Sequence, residues 1–317
     1  MISNFDELFH ELSKSPDSKE TFNYNFVDKK NKLYVFANID FIPKNNELDF
    51  SWYVFLNNHE YHFNECISKD EKMNGSKLSS KGLKYGIDSK DREKFSLELK
   101  NNLFDVSCEL KSFHHIYDYP KAVDMDVDEI RDKYESMLWK RFEQRCKIQG
   151  TLRHKSGELK GKAIPISCFG QRNREWGPRL WKNLIAVSTY YIQFREMSIS
   201  LSYYDFEETV LSSGYISKKS GNIPIYETVL EHIDISREDK RAEGSEISYK
   251  DSQEDKDLIV SSRVHSFKTD DMKFGSKKFV NYFNISDFKI IGADKKGTGF
   301  ERHYIQADKL NKFILDK

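Results

Sequence analysis

The residues best suited to chemistry lie close together in residues 170–181, which read Gly-Gln-Arg-Asn-Arg-Glu-Trp-Gly-Pro-Arg-Leu-Trp. Arginine carries a planar cation with five hydrogen-bond donors, which can fix a carboxylate or several backbone carbonyl groups. Two roles are open for this segment. It is either a structural corner, in which Arg172 and Arg179 hold loops together and Trp176 fills the core, or part of the wall of a ligand cavity.

An extended conformation would divide the side chains of this segment between two faces. One face carries Gln171, Asn173 and Glu175, and the other carries Arg172, Arg174 and Trp176. Because both sets are largely polar, at least one face must bury polar groups. Gly170 and Gly177 would allow a bulge or a close approach of the backbone at either end.

The elements that must position these residues are mainly strands. Apolar and polar residues alternate with a period of two in residues 34–41, 95–99, 106–110 and 258–267. Aromatic and β-branched residues dominate other runs, such as 186–194 and 278–285, and such side chains pack well on a pleated surface. The sequence therefore predicts an antiparallel all-β protein.

Two segments depart from this pattern. Apolar residues recur at helical spacing near the start, in residues 2–12, and again in residues 125–145, where Asp124 and Asp126 suit the first turn of a helix. We therefore expect a short N-terminal helix and a linking helix over residues 125–145. These place an N-terminal domain at residues 1–145 and a C-terminal domain, with the arginine-rich segment, at residues 146–317.

Composition limits the function. The 317 residues suffice for two domains, and 51 basic residues balance 51 acidic ones, so there is no general positive field for nucleic acid. No secretory signal or run of about 20 apolar residues is present, which leads us to expect a soluble, cytoplasmic protein without an integral membrane segment. No Cys/His metal set, phosphate-binding loop or dinucleotide fingerprint occurs, so we expect neither a metal nor a cofactor.

The pattern Gly-Gln-Arg-x-x-x-Trp-Gly-x-Arg-x-Trp, formed by Gly170, Gln171, Arg172, Trp176, Gly177, Arg179 and Trp181, resembles the signature of the carotenoid 1,2-hydratase and AttH-like superfamily. That superfamily includes kievitone hydratases, lipocalin-like Diels-Alderases and survival factor lipid carriers. The resemblance implies two tandem lipocalin-like antiparallel β-barrels, with this motif opening the second. It also implies a closing Gly-x-Gly followed by an acid, which aligns with residues 297–301 and ends at Glu301.

The sequence also departs from the family pattern. Typical members read Arg-Asp-His-Ser-Trp where this chain has Arg172, Asn173, Arg174, Glu175 and Trp176. Hydration of an isolated alkene needs a strong proton donor, which an arginine cannot be. Glu175 and Glu301 are the carboxyl groups nearest the two matched motifs. Either could act as a general acid if burial raised its pKa, or both could be salt-bridged structural groups.

Aromatic side chains could line an apolar cavity around these acids. The candidates are Trp176, Trp181, Tyr190, Tyr191, Phe194, Tyr203, Tyr204, Tyr282 and Phe283, of which strand alternation turns about half inward.

Two functions fit these features. The first is a cofactor-independent enzyme of the lyase or isomerase type, a hydratase or cyclase. It would act on a hydrophobic terpenoid or polyketide-like substrate by hydration, dehydration, cyclisation or a pericyclic reaction, the last by shape alone. The second is a noncatalytic carrier of a lipid or isoprenoid, in which the same cavity only shields apolar surface.

Overall fold

Strands make up 71% of the residues that the computed structural model describes. The structure describes residues 7–313 apart from 16–17, 89–90, 92, 120–139, 179–182, 208, 237, 240, 254, 268, 270–271 and 275–276. The chain divides into two compact units, Met1–Arg179 and Leu180–Lys317.

The first unit contains one antiparallel sheet. Its strands are β1 (Ser18–Asp28), β2 (Leu33–Ile42), β3 (Glu47–Leu56), β4 (His59–Ser68), β5 (Lys77–Ser79), β6 (Leu83–Ile87), β7 (Lys94–Lys100), β8 (Phe104–Ser112), β9 (Tyr117–Asp118), β10 (Lys140–His154) and β11 (Ala163–Pro178). They lie in the order β4-β3-β2-β1-β11-β10-β8-β7-β6-β5, with β9 paired to β10. The sheet curls into a half-barrel.

The second unit is a closed barrel. Its strands are β12 (Leu184–Gln193), β13 (Ser198–Phe206), β14 (Val210–Lys218), β15 (Gly221–Ile235), β16 (Ala242–Asp251), β17 (Lys256–Ser266), β18 (Met272–Phe274), β19 (Lys277–Ile290) and β20 (Lys295–Gln306). Their order is β17-β16-β15-β14-β13-β12-β20-β19-β18, and pairing of β17 with β19 closes eight of them into a ring.

Alternating side chains build the cores, as the sequence pattern requires. In β3, Leu48, Phe50, Trp52 and Val54 are buried, and the side chains between them are more exposed. These four belong to the apolar core of the first unit, where the indole Nε1 of Trp52 donates to the carbonyl of Gly82 at 3.0 Å. The prediction of an all-β chain built from two antiparallel barrel-like units is confirmed.

The predicted domain boundary and helices differ from the structure. Residues 146–178 belong to the first unit rather than the second, because β10 and β11 pair with each other and with β8 and β1. Residues 140–145 are the start of β10 and not the end of a helix, since they pair with residues 171–176 of β11. The rest of the predicted linking helix, residues 125–139, lies outside the described residues.

The predicted N-terminal helix also differs from the structure where it can be compared. Residues 1–6 lie outside the described part of the chain, and residues 9–12 form no regular secondary structure. Phe9 and His10 instead contact strands of the first sheet, as described below. Among the described residues, no helix is both long and apolar enough to cross a bilayer.

Candidate functional site

The predicted site residues fall into two separate units. Gln171, Arg172, Arg174, Glu175 and Trp176 lie on β11 of the first unit, whereas Tyr191, Tyr204, Tyr282 and Glu301 lie in the second. Arg179 and Trp181 lie outside the described residues. The motif therefore does not open the second barrel, as the resemblance implied, because β11 is an interior strand of the first sheet, between β1 and β10.

Arg172 and Arg174 of β11 point to the core face of the first sheet, where each is paired with a carboxylate. Arg172 Nη1 lies 2.8 and 3.0 Å from the carboxylate oxygens of Glu7. Arg174 Nη2 lies 2.7 Å from Oε1 of Glu20, and its guanidinium stacks over the Phe22 ring at 3.4 Å. Because both guanidiniums are almost fully buried, these pairs are needed to offset the cost of desolvating each cation.

The opposite face of β11 is also polar and buried. Glu143 of β10 accepts hydrogen bonds from Arg141 and from the amide of Gln171, and Asn173 donates to Glu175 at 2.8 Å. Glu175 also lies 3.4 Å from the guanidinium of Arg141, at an ion-pair distance. The expected alternation along an extended segment therefore occurs, with polar groups buried on both faces. In these contacts Glu175 is a hydrogen-bonded, ion-paired carboxylate.

The second unit has a polar layer around Glu301 of β20, which is completely buried. Its carboxylate accepts hydrogen bonds from the hydroxyls of Ser245, Ser261 and Ser286 at 2.8, 2.7 and 2.7 Å. The amide of Asn284 adds a longer bond of 3.3 Å. We call these five residues, together with His303 and Ser188, the Glu301 layer.

His303 is the nearest ionisable side chain to Glu301 within the layer. The two side chains lie on the same face of β20, two residues apart, and His303 Nε2 is 3.7 Å from Oε2 of Glu301. That distance suits an ion pair but not a direct hydrogen bond. The other ring nitrogen, Nδ1, is 2.8 Å from the hydroxyl of Ser188, which fixes the ring.

The Glu301 layer decides the protonation state of its carboxylate. Burial by itself raises the pKa of Glu301, but the nearby imidazole of His303 and the hydrogen bonds from Ser261 and Ser286 outweigh it and lower the pKa from 4.5 to about 2. Glu301 is therefore ionised at neutral pH. The general-acid role, which requires that burial raise the pKa of Glu301 or Glu175, needs a shift in the other direction at Glu301.

Two polar atoms of this layer lack partners. His303 Nε2 and Asn284 Oδ1 are buried and form no hydrogen bond with any described residue. Next to them, the hydroxyl of Tyr190 donates to Ser245 at 3.1 Å, and burial together with the charge of Glu301 raises the pKa of Tyr190. The Glu301 layer therefore contains an ionised acid, an imidazole and two unused hydrogen-bonding atoms, which together suit proton transfer.

Apolar side chains lie near this polar layer. One cluster contains Tyr190, Ile192, Phe194, Leu201, Phe288 and Ile290 among others. A second contains Ile185, Tyr203, Leu230, Tyr282, Ile305 and Phe313 among others. Of the five tyrosines predicted as cavity candidates, Tyr190, Tyr203 and Tyr282 share the face of Glu301, since Tyr190 pairs with Glu301 and Tyr282 pairs with His303. Tyr191 and Tyr204 lie on the other face, because their neighbours Tyr190 and Tyr203 occupy the inner one.

Sequence reasoning missed His303, Ser245, Ser261 and Ser286. A local signal existed for two of them, because Glu301-x-His303 and Asn284-x-Ser286 each place two polar residues on one face of an otherwise apolar strand. Ser245 and Ser261 carry no such signal, since only the barrel brings β16 and β17 to β20. No group of three His, Cys, Asp or Glu residues suited to a metal ion occurs within the described ranges.

A surface cleft of about 480 Å³ lies elsewhere, in the first unit. It is lined by residues of β5, β6, β7 and β8, including Leu78, Tyr85 and Phe95, with a charged rim that includes Lys77, Lys84 and Glu98. None of the predicted site residues lines it.

The amino-acid sequence matches one protein-family model. Residues 3–299 match a family model described as a domain of unknown function, DUF7064. No curated protein sequence matches the chain.

Three solved structures share the fold. CghA superposes with a TM-score of 0.65 at 8% identity, covering 92% of this chain and 88% of that one. A putative AttH, NE1406 from Nitrosomonas europaea, gives 0.64 at 7% identity, covering 91% and 93%. Kievitone hydratase from Nectria haematococca gives 0.59 at 10% identity, covering 96% and 93%. The AttH-like, lipocalin-like fold that the sequence motif implied is therefore confirmed.

Proposed function

Because the chain belongs to the DUF7064 family and shares its fold with a kievitone hydratase and with CghA, we propose that it is a cofactor-independent enzyme. Its substrate is a hydrophobic molecule of terpenoid or polyketide type, and its reaction is the addition or removal of water. Glu301 and His303 are the residues that carry the chemistry.

The observation behind this proposal is the buried ion pair in the second barrel. Glu301 and His303 are both fully buried, and a charged pair in such a place costs more to desolvate than an apolar pair of the same size. The imidazole Nε2 faces the carboxylate without a hydrogen bond. A substrate oxygen or a water molecule bound there would complete the geometry of both groups.

Glu301 and His303 have different roles in the proposed reaction. His303 is the acid of the proposed reaction and gives a proton to the substrate at an activated double bond or at a conjugated carbonyl oxygen, with the ionised Glu301 beside it. A water molecule then adds to the neighbouring alkene carbon, or to the β-carbon of the conjugated carbonyl, and returns one proton to the imidazole. In the carbonyl case the resulting enol tautomerises to the ketone, so that in both cases the net change is the addition of one water. Dehydration is the same sequence in reverse.

The substrate has no open path to Glu301 and His303 in this conformation, because neither side chain has exposed surface. The substrate must displace apolar side chains from the cluster that contains Tyr282, Ile305 and Phe313. These side chains would then pack on the apolar part of the substrate and keep bulk water away from the ion pair.

The experiment begins with the ligand. Small molecules are extracted from the purified protein, identified by mass spectrometry and returned to fresh protein in water enriched in oxygen-18. Hydration incorporates the heavy oxygen, whereas cyclisation or pericyclic closure changes the substrate without incorporating it. A carrier would bind the molecule and leave it unchanged.

Variants then test the assigned residues. Glu301→Gln is expected to lower kcat by about 10²-fold or more, in line with the loss of an acid–base group. Asp205→Asn is the matched control, because Asp205 is a buried acid of the same unit whose partner is Lys312. Full activity in a folded Glu301→Gln protein, or loss of activity only in Asp205→Asn, would refute the role of Glu301.

A further inference from the structure

A short segment at the start of the chain covers the arginine pair of the first unit. We call residues 7–10 the N-terminal strap. Phe9 N–H donates to the carbonyl of Asn74 at 3.0 Å, and the carbonyl of Leu8 accepts from Arg174 at 2.9 Å. His10 donates from its backbone N–H to Glu20 at 3.1 Å and stacks on the Trp176 ring at 4.0 Å. The strap therefore rests on the core face of the sheet through a small number of polar contacts and two aromatic rings.

Arg172 beneath the strap is arranged like a receptor for a carboxylate. Its guanidinium lies 4.2 Å from the Phe95 ring and 5.1 Å from the Phe142 ring. Nε donates to Oε1 of Gln144 at 2.9 Å, and Gln144 is itself fixed by Ser112 and by the carbonyl of His114. The arginine is thus held in one orientation before any anion binds, which makes binding less costly in entropy.

The carboxylate now on Arg172 belongs to the strap. Glu7 occupies the Nη1 edge, and its side chain is 12% exposed whereas that of Arg172 is 3% exposed. Glu7 therefore lies between the arginine and solvent. An external carboxylate that approached from the same side would contact Arg172 only by replacing Glu7.

The hydroxyl group of Tyr85 lies near the ion pair of Arg172 and Glu7. The hydroxyl of Tyr85 is buried and forms no hydrogen bond of standard geometry with the described residues, although the Tyr24 hydroxyl lies near enough for a weak contact. A buried hydroxyl without a partner is unusual and costs free energy. It could be satisfied by a ligand oxygen placed on Arg172.

The strap itself shows which kind of molecule would fit. It presents a carboxylate at Glu7 and, two residues later, the apolar ring of Phe9, which packs 5.6 Å from Phe22 and 4.9 Å from Phe41. We propose that Arg172, Gln144 and Tyr85 form a binding site for an amphipathic carboxylic acid, and that the strap occupies this site until such a ligand replaces Glu7 and Phe9. This site is in the first unit and does not depend on the function proposed for Glu301.

The test measures binding of laurate, with dodecanol as the uncharged probe, by titration calorimetry on the full-length chain. Glu7 competes from within the same chain, so its effective concentration is high. Glu7→Gln is therefore expected to bind laurate about tenfold more tightly than the unchanged protein, equal to ~1.4 kcal/mol, with dodecanol unaffected. Glu11→Gln is the matched control, because Glu11 follows the strap and is exposed.

Two further measurements locate the ligand. The double variant Glu7→Gln/Arg172→Gln removes both charges together, so it avoids an unpaired buried carboxylate, and it is expected to lose laurate binding. Hydrogen exchange at the Phe9 and His10 amides is expected to accelerate when laurate binds. Equal laurate affinity in Glu7→Gln and the unchanged protein, or full binding by the double variant, would overturn the proposal. Glu301→Gln should not alter laurate binding, which separates this result from that of the enzymatic test.

Discussion

At Glu301, the neighbouring hydrogen-bond donors and His303 outweigh the effect of burial on the pKa of the carboxyl group. A carboxylate without contact to water would normally take up a proton, since desolvation penalises charge. Here Ser245, Ser261 and Ser286 donate to it and the imidazole of His303 lies beside it, so the ionised form is favoured in the folded protein. The role open to Glu301 is consequently that of an anion beside the imidazole of His303.

The lowered pKa of Glu301 predicts how the free energy of unfolding depends on pH. The pKa of Glu301 falls from 4.5 to about 2 on folding, so its stabilising contribution, roughly 3 kcal/mol, is complete above about pH 5 and is lost as the pH falls toward 2. The measurement is the free energy of unfolding by urea between pH 2 and 7, for the unchanged protein and for Glu301→Gln. The variant should lose less stability over this range. Parallel curves for the two proteins would contradict the prediction.

At the scale of elements, β20 shows how a strand positions this residue. Two glycines, Gly297 and Gly299, precede Glu301, and a Cβ atom placed on Gly299 would lie 1.8 Å from the carbonyl oxygen of Tyr191. No side chain fits there, because β12 approaches β20 too closely. The glycine therefore sets the spacing of the two strands that carry Tyr190, Glu301 and His303.

Replacing that glycine is expected to disturb the barrel. Gly299→Ala should lower the free energy of unfolding by about 1–3 kcal/mol, since the strands must separate to admit a methyl group. Gly86→Ala is the control, because the nearest atom there is the mobile Ser96 hydroxyl at 3.0 Å. Urea denaturation of both variants makes the comparison. Equal stability of the two would show that the close approach at Gly299 has no energetic consequence.

For the whole molecule, the difference between an open and a closed sheet matters most. In the second unit eight strands form a ring, so each has a neighbour on both sides. The sheet of the first unit ends at β4 on one side and at β5 on the other. Edge strands keep unpaired backbone groups, which are easier to expose to solvent.

Hydrogen exchange should reveal this difference. Amides of β4 are expected to exchange more than about tenfold faster than those of β3, the adjacent strand with two neighbours, and than those of β17 in the ring. Exchange followed by mass spectrometry or NMR under native conditions gives the rates. Comparable protection of β4 and β3 would mean that another part of the chain covers the β4 edge.

Several features follow from the sequence alone. Side-chain direction along an extended chain is fixed by local covalent geometry. The alternating pattern therefore predicted the strands, the all-β class and the division of residues 171–176 between two faces. The motif at residues 170–181 indicated the AttH-like fold. The Gly-x-Gly pattern at residues 297–299 singled out Glu301 as the acid that follows it. Whether Glu301 or Glu175 is catalytic is still a prediction.

Tertiary structure alone decided the rest. Strand pairing joins residues far apart in the chain, as when Tyr24 lies opposite Arg172, and no local pattern specifies it. That pairing assigned the arginine motif to the first unit and gave its cations the carboxylates of Glu7 and Glu20. The low pKa of Glu301 likewise depends on hydroxyl groups from two other strands, Ser261 of β17 and Ser286 of β19. Electrostatic interaction depends on distance through space, and that distance exists only once the sheets have formed.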